Sequence, residues 1–223
     1  FHKKRIDALT PAMTVAAEHA RDAFVPGRVF DMHDAMMRLT LEVVATTLLG
    51  SGIVDREAEI VGAAVDFITA ETNRRLRNPF QLPLSVPTRH NRAFLRHRGN
   101  LDAIVFRIIE ERRRSGEVGD DLLSLLLHAT DPETGERMSD TQLRDEVMTI
   151  FLAGHETTAN ALSWAWVQLS RHPEVAQRLT AELETVLAGR TPTLEDIPAL
   201  VYTRQVLDEV MRLYPPAWTI ARS

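Results

Sequence analysis

The chain has 223 residues, 44 % of them hydrophobic and 26 % charged, with a formal net charge of −5. Those proportions fit one large globular domain over 1–223, or part of one, and lack the basic footprint of a nucleic-acid binder. With no cysteine there is neither disulfide nor thiolate ligand in these residues, and no apolar run approaches the roughly 18 residues of a membrane span.

Helical periodicity dominates, with no repeat or low-complexity tract. The chain enters a helical pattern abruptly at Phe1-His2-Lys3-Lys4-Arg5 and stops as abruptly at Ala221-Arg222-Ser223, which suggests a piece of a longer protein. Asp31 is a candidate N-cap for a helix over 32–49, ended by Gly50. A second helix is expected over 57–76, followed by an irregular connection marked by Pro79, Pro83 and Pro87. A third covers 91–114 and stops at Gly116, and a short one covers 121–128. Asp131 to Glu136 carry turn chemistry.

Ser139 and Gln142 form a capping-box signature. The next breaker is Pro173, so the pattern between them holds about 32 residues, or about 48 Å at 1.5 Å per residue. A helix of that length should cross a whole domain. Pro173 suits the first position of the next helix, which Gly189 should end. Thr203 can cap a last helix that Pro215-Pro216 terminates. Trp218-Thr219-Ile220 reads as a short strand, the main strand signal in the chain.

Two motifs carry chemistry. Within the long helix lies Ala153-Gly154-His155-Glu156-Thr157-Thr158. Gly154 costs about 1 kcal/mol relative to Ala in a helix interior, and two β-branched threonines add stiffness but little stability. The Thr157 hydroxyl can bond the Ala153 carbonyl and bend the helix. This local weakness suits a groove, a kink or a bound molecule, and Gly154 would let something flat approach the backbone. Alternatively, Gly154 marks close helix packing and Glu156 points to water. A zinc-protease reading fails, because H-E-x-x-H needs His at 159 and Ala159 is there; His155 then reads as a surface group or one supporting the site from behind, not a ligand. The second motif is Glu209-Val210-Met211-Arg212, whose spacing puts Glu209 and Arg212 on one helix face. That pair is either an exposed surface bridge or a buried one that fixes nearby backbone.

Together, in this order and about fifty residues apart, the motifs resemble the cytochrome P450 family. Ala153 to Thr158 match its oxygen-activation motif, A/G-G-x-D/E-T-T/S. Glu209 to Arg212 match its E-x-x-R, and Leu213-Tyr214-Pro215-Pro216 the usual continuation. The helix order looks like the family's middle half, so the resemblance covers essentially the whole chain. It implies a mainly α, incomplete P450-like fold with little strand, from a soluble, cytoplasmic, bacterial haem-thiolate monooxygenase. Such an enzyme uses O₂ to hydroxylate a small apolar organic substrate. Thr157 would hydrogen-bond the oxygen, and Glu156 would help deliver protons, as an acid beside an alcohol can. Ala153, Gly154 and Thr158 would lie against haem, leaving room for O₂ and substrate. Arg222 resembles a propionate-pairing position. Phe1 takes the Trp place of a W-x-x-x-R motif before Arg5, and His2, Lys3, Lys4 and Arg5 are candidate propionate or redox-partner contacts. The substrate pocket would draw on Thr149, Ala153, Ala217, Trp218, Thr219 and Phe67, with Trp218 equally well read as core. Glu209 and Arg212 would be structural.

The chain departs from the family in lacking the cysteine ligand, which the resemblance places beyond the E-x-x-R helix. No metal ligand is expected within these residues, and the piece alone should be inactive. With no flavin, nicotinamide or iron–sulfur motif present, electrons must come from a separate or fused reductase, so the expected redox partner is a ferredoxin or flavin reductase. Two rivals stand: a peroxide-using or isomerising haem enzyme on the same fold, and a haem-free helical module binding apolar ligands or partners. Eleven arginines between Arg74 and Arg114 read as a solvated face rather than a nucleic-acid surface.

Overall fold

The structure, a computed structural model, describes residues 3–50, 55–78, 80, 82–116, 119 and 121–217. The helices are α1 (Lys3–Asp22), α2 (Met32–Leu49), α3 (Asp55–Arg77), α4 (Arg89–Ser115), α5 (Leu122–His128), α6 (Asp140–Arg171), α7 (Pro173–Leu187) and α8 (Val201–Leu213). A 3-10 turn, Leu194–Ala199, precedes α8. No strand occurs among the described residues beyond an isolated bridge between Thr130 and Arg137. The mainly α expectation holds; the expected strand at Trp218–Ile220 lies outside the described residues.

Local chemistry sets most helix ends. The Asp31 carboxylate accepts from the His33 and Asp34 amides at 2.8 and 3.2 Å, and Gly50 ends α2 with φ +67°. Thr88 caps α4 by accepting from the Asn91 amide at 3.0 Å, and Gly116 closes that helix in the left-handed region. Ser139 and Gln142 make both bonds of the capping box, at 3.0 and 3.3 Å.

Two expected ends differ. The left-handed residue after α7 is Ala188, with Gly189 following at φ +82°. Thr203 is not the cap of α8. Glu182, reaching across from α7, accepts from the Tyr202 and Thr203 amides at 2.6 and 2.8 Å and from the Thr203 hydroxyl at 2.7 Å. The first-turn amides of α8 need an acceptor, and a carboxylate satisfies more of them than a hydroxyl within the helix could.

By internal contact the chain divides into two compact units. The first comprises 1–47 and 153–223. In it α2 and the second half of α6 join through His155, Ser163 and the methyl of Val44. Tyr214, at the end of α8, stacks on Trp164 of α6 with ring centroids 4.0 Å apart and planes 6° apart. The 3-10 turn is tied down by Asp196, which binds Thr193 and Arg190. The second unit, 48–152, is built on the α3–α4 pair. Its core buries Val61, Ala64, Val65, Leu101, Ile104 and Ile108. Arg112 of α4 pairs with Asp121 at 2.7 Å and donates to Ser124 at 3.0 Å, fastening α5.

Candidate active site on the long helix

Helix α6 is a single run of 32 residues, as the spacing between Ser139 and Pro173 predicts. Its two faces differ sharply. Leu143, Val147, Phe151, His155 and Ala159, each four residues on from the last, are all buried. Thr149, Ala153 and Thr157 recur at the same interval and are all exposed. The helix therefore presents an open stripe of small side chains, two of them alcohols.

The Thr157 hydroxyl donates to the Ala153 carbonyl at 2.6 Å, the bond expected from spacing, and Thr149 donates likewise to Asp145 at 2.8 Å. Each oxygen keeps its acceptor capacity toward the open side. Glu156 is half-buried and makes no hydrogen bond or ion pair among the described residues, and Thr158 is exposed. A Cβ at Gly154 would stand 3.4 Å from Val44, an ordinary contact. Position 154 therefore faces α2, and packing there does not demand glycine.

Of the two readings open for His155, the structure excludes the surface one. The side chain lies in the buried stripe, with Nε2 3.0 Å from the Met37 carbonyl, so that nitrogen carries the proton and donates. Counting fours from Leu143 would have found it. The same count explains why position 159 holds Ala, since it is core.

Glu209 and Arg212 form a two-pronged ion pair, Nε to Oε2 and Nη2 to Oε1, each 2.7 Å. Their side chains are 54 % and 66 % exposed, so of the two forms open to the sequence the structure has the surface one. The Arg212 hydrogen bonds hold the Glu209 carboxyl below its ordinary range. Glu209 also borders a groove of about 450 Å³ between α6, α7 and α8, lined by Leu169, Val206, Val210 and Leu213.

Phe67, on α3, is half-buried and stacks on His97 of α4 at 4.6 Å. Burial lowers the His97 pKa, with the neighbouring Arg96 acting in the same direction. Ala217 is exposed just after α8. Phe1, His2, Trp218, Thr219 and Arg222 lie outside the described residues, as do the side chains of Lys3, Lys4 and Arg5. Among the described residues no cluster of His, Asp or Glu could hold a metal ion, and no helix is long and apolar enough to cross a membrane.

Sequence reasoning missed one strongly built cluster. Glu71 is 4 % exposed and accepts from Arg74 Nε and Nη2, both at 2.7 Å, and from Arg75 Nε at 2.8 Å. The Arg74 hydrogen bonds are the largest influence and outweigh burial, bringing its carboxyl to about 2. The only sequence signal was the spacing E-x-x-R-R.

Residues 7–223 match the family described as Cytochrome P450. The cyclooctat-9-en-7-ol 5-monooxygenase of Streptomyces melanosporofaciens is 40 % identical over 222 residues, covering 100 % of this chain and 48 % of that protein. The pentalenene oxygenase of Streptomyces avermitilis is 36 % identical over 225 residues, covering 100 % and 49 %. The chain thus spans about half the length of these relatives. A crystal structure of a mutant cytochrome P450DA heme domain superposes with a TM-score of 0.84 at 31 % identity, over 95 % of this chain and 47 % of that one. With the family match running almost end to end, and with the helices, the long α6 and the paired Glu209–Arg212 in place, the chain belongs to the cytochrome P450 family.

Proposed function

We propose that this chain is the oxygen-side half of a monooxygenase that uses O₂ to hydroxylate an apolar, cyclic terpene-type substrate. The substrate class rests on the relatives named for cyclooctat-9-en-7-ol and pentalenene, and on the small, open stripe of α6. The observation that carries the reading is that Thr149, Ala153 and Thr157 leave one side of α6 uncovered while Glu156 stands beside Thr157 without a partner among the described residues.

Haem iron is the family's cofactor, and no cysteine among residues 1–223 can ligate it. The residues present would suit a flat macrocycle laid along the open stripe of α6. The stripe is flat, its side chains are short, and no aromatic or long charged group stands among Thr149, Ala153 and Thr157. Ala153 and Thr158 would lie against the macrocycle, with Arg5 and Arg222 at its propionates; Gly154, expected there from the motif, turns its Cα toward Val44 of α2 instead. When bound, haem supplies the electron transfer and oxygen chemistry that no side chain here can provide.

The chain's own residues do the rest. Thr157 holds its proton on the Ala153 carbonyl until a better acceptor arrives on the open side, then turns to donate. Glu156, one residue away, replaces that proton from solvent. Thr149, Ala153, Ala217, Trp218, Thr219 and Phe67 shape the substrate's surroundings. Glu209 and Arg212, an exposed pair within residues 1–223, would be structural once the rest of the full-length protein packs against α8. Electrons come from a ferredoxin or flavin reductase in the cytoplasm, and residues 1–223 alone are inactive.

In the full-length protein, Thr157→Ala should keep haem and substrate binding yet divert reducing equivalents to hydrogen peroxide. A variant that couples electron use to product as the parent does would contradict the proton role.

A further inference from the structure

Stability alone would not put histidine at position 155. The residue is 1 % exposed, in the same buried stripe as Ala159. An imidazole there brings polar nitrogens into the core, where leucine would bring none. What the histidine gains is direction. Its Nε2–H donates to the Met37 carbonyl of α2 at 3.0 Å, joining residues 118 apart in sequence. The receiving turn of α2 is itself held, because buried Thr40 donates to the Met36 carbonyl at 2.9 Å and to the Met37 carbonyl at 3.2 Å.

The turn of α6 that His155 holds is intrinsically weak. Gly154 offers no side chain to α2, and Thr157 and Thr158 are β-branched. The Thr157 hydroxyl also loads the Ala153 carbonyl at 2.6 Å, a bond of the kind that bends helices. A further contact between the same two helices, His33 Nδ1 to Ser163 Oγ, is longer at 3.4 Å and exposed. Successive helical residues point about 100° apart. With His155 held against α2, Glu156 stands to one flank and Thr157 nearly opposite, which matches their exposure: buried, half-buried, exposed. If α6 turned by about 20°, a side-chain atom about 5 Å from its axis would move by about 2 Å. Errors of about 1 Å in aligned reacting groups cost on the order of a hundredfold in rate.

We propose that His155 is a positioning residue for the acid–alcohol pair: its bond to the Met37 carbonyl sets the rotation of α6 so that Thr157 faces the open side and Glu156 flanks it. The role rests on the proton reading of those two residues. His155 acts through Thr157, from the buried side of the helix. An imidazole that only filled space could be exchanged for an apolar group of its size. One that aims the helix could be exchanged only for another donor of the same reach. Glutamine is that donor, since its amide nitrogen lies as many bonds from Cβ as Nε2 does.

The test compares full-length His155→Leu, His155→Gln, Thr157→Ala and the double variant of His155→Leu with Thr157→Ala. One readout is the share of reducing equivalents recovered as product. The other is the infrared C–O stretch of the reduced, carbon-monoxide-bound protein, which senses polar groups on the open side without turnover. A thiolate-type Soret band in that state shows that each variant is folded and loaded. His155→Leu should lower the product share about tenfold and shift or broaden the C–O band. His155→Gln should keep both close to the parent. The double variant should match Thr157→Ala alone, because the group being aimed is gone. Should His155→Leu not load haem, His155→Phe takes its place as a ring without a donor. A coupled His155→Leu beside an uncoupled Thr157→Ala overturns the role of His155 and leaves the proton reading standing. Equal losses in His155→Leu and His155→Gln, additive losses in the double variant, or failure of both apolar variants to load haem would also overturn it, marking a residue needed for folding rather than aim. A fully coupled Thr157→Ala would instead sink the proton reading, and this role with it.

Discussion

Glu71→Gln removes one charge from a buried cluster and keeps its shape. The parent carboxylate accepts three guanidinium hydrogen bonds at 2.7–2.8 Å; the amide can accept at one atom only, and its NH₂ turns a donor toward Arg74 or Arg75. Moving a carboxyl from its ordinary 4.5 to about 2 corresponds to roughly 3 kcal/mol of preference for the charged form. Arg74 remains 45 % exposed, so solvent screening reduces the expected loss to roughly 2 kcal/mol at pH 7. With a urea slope of about 2 kcal/mol per molar, the unfolding midpoint should fall by about 1 M. The pH dependence has a definite sign. A depressed carboxyl contributes its full stability above its unfolded pKa and loses it as pH falls through the folded one. The gap between parent and variant should therefore be constant from neutrality to about pH 5.5, about a quarter smaller at pH 4 and more than half gone at pH 3. Urea titrations of the full-length protein at these pH values provide the assay. A variant as stable as the parent at pH 7, or a gap undiminished at pH 3, would refute the role given to this cluster.

Removing the carboxylate of Glu182 should fray α8 from its first turn, because that group accepts from two of its amides. In Glu182→Ala, amide exchange at Tyr202 and Thr203 should accelerate; unchanged protection would show that α8 is capped by something else. Burial opposes the charged form, but hydrogen bonds from the Tyr202 amide and from the Thr203 hydroxyl and amide outweigh it and hold the Glu182 carboxyl below its ordinary pKa, so the protection of these amides relative to their intrinsic exchange rates should fall in the parent only as pH drops below the ordinary carboxylate range. For the second motif, Arg212→Ala should yield full-length protein that does not retain haem through purification. A fully loaded, stable variant would show the Glu209–Arg212 pair to be dispensable.

The features read correctly from the sequence were those whose cause lies within a few residues. Asp31, Gly50, Gly116 and the Ser139–Gln142 box act on neighbouring amides, so their spacing alone locates α2, α4 and α6. Glu182 acts twenty residues away in sequence, and nothing in the run around Thr203 reports it. The Thr193–Asp196 capping box is equally local, and the short turn it opens contains Pro198, which is unlike the interior of a longer helix. His155 was judged from its neighbours in a motif instead of from the buried stripe that begins at Leu143. The ion pair at Glu209 and Arg212 was evident in spacing, but its exposure depends on what else covers α8. In the site, the hydrogen bond from Thr157 to Ala153 follows from helix geometry, whereas the direction of Gly154, toward Val44, needed the fold.

The central claim is that this chain is part of a haem enzyme whose iron is held by a thiolate outside residues 1–223. The absorption spectrum of the reduced, carbon-monoxide-bound full-length protein tests it most directly. A thiolate-type Soret band is the expected result. A Soret band of the kind given by a neutral nitrogen ligand, or no haem absorption in folded protein, would contradict it.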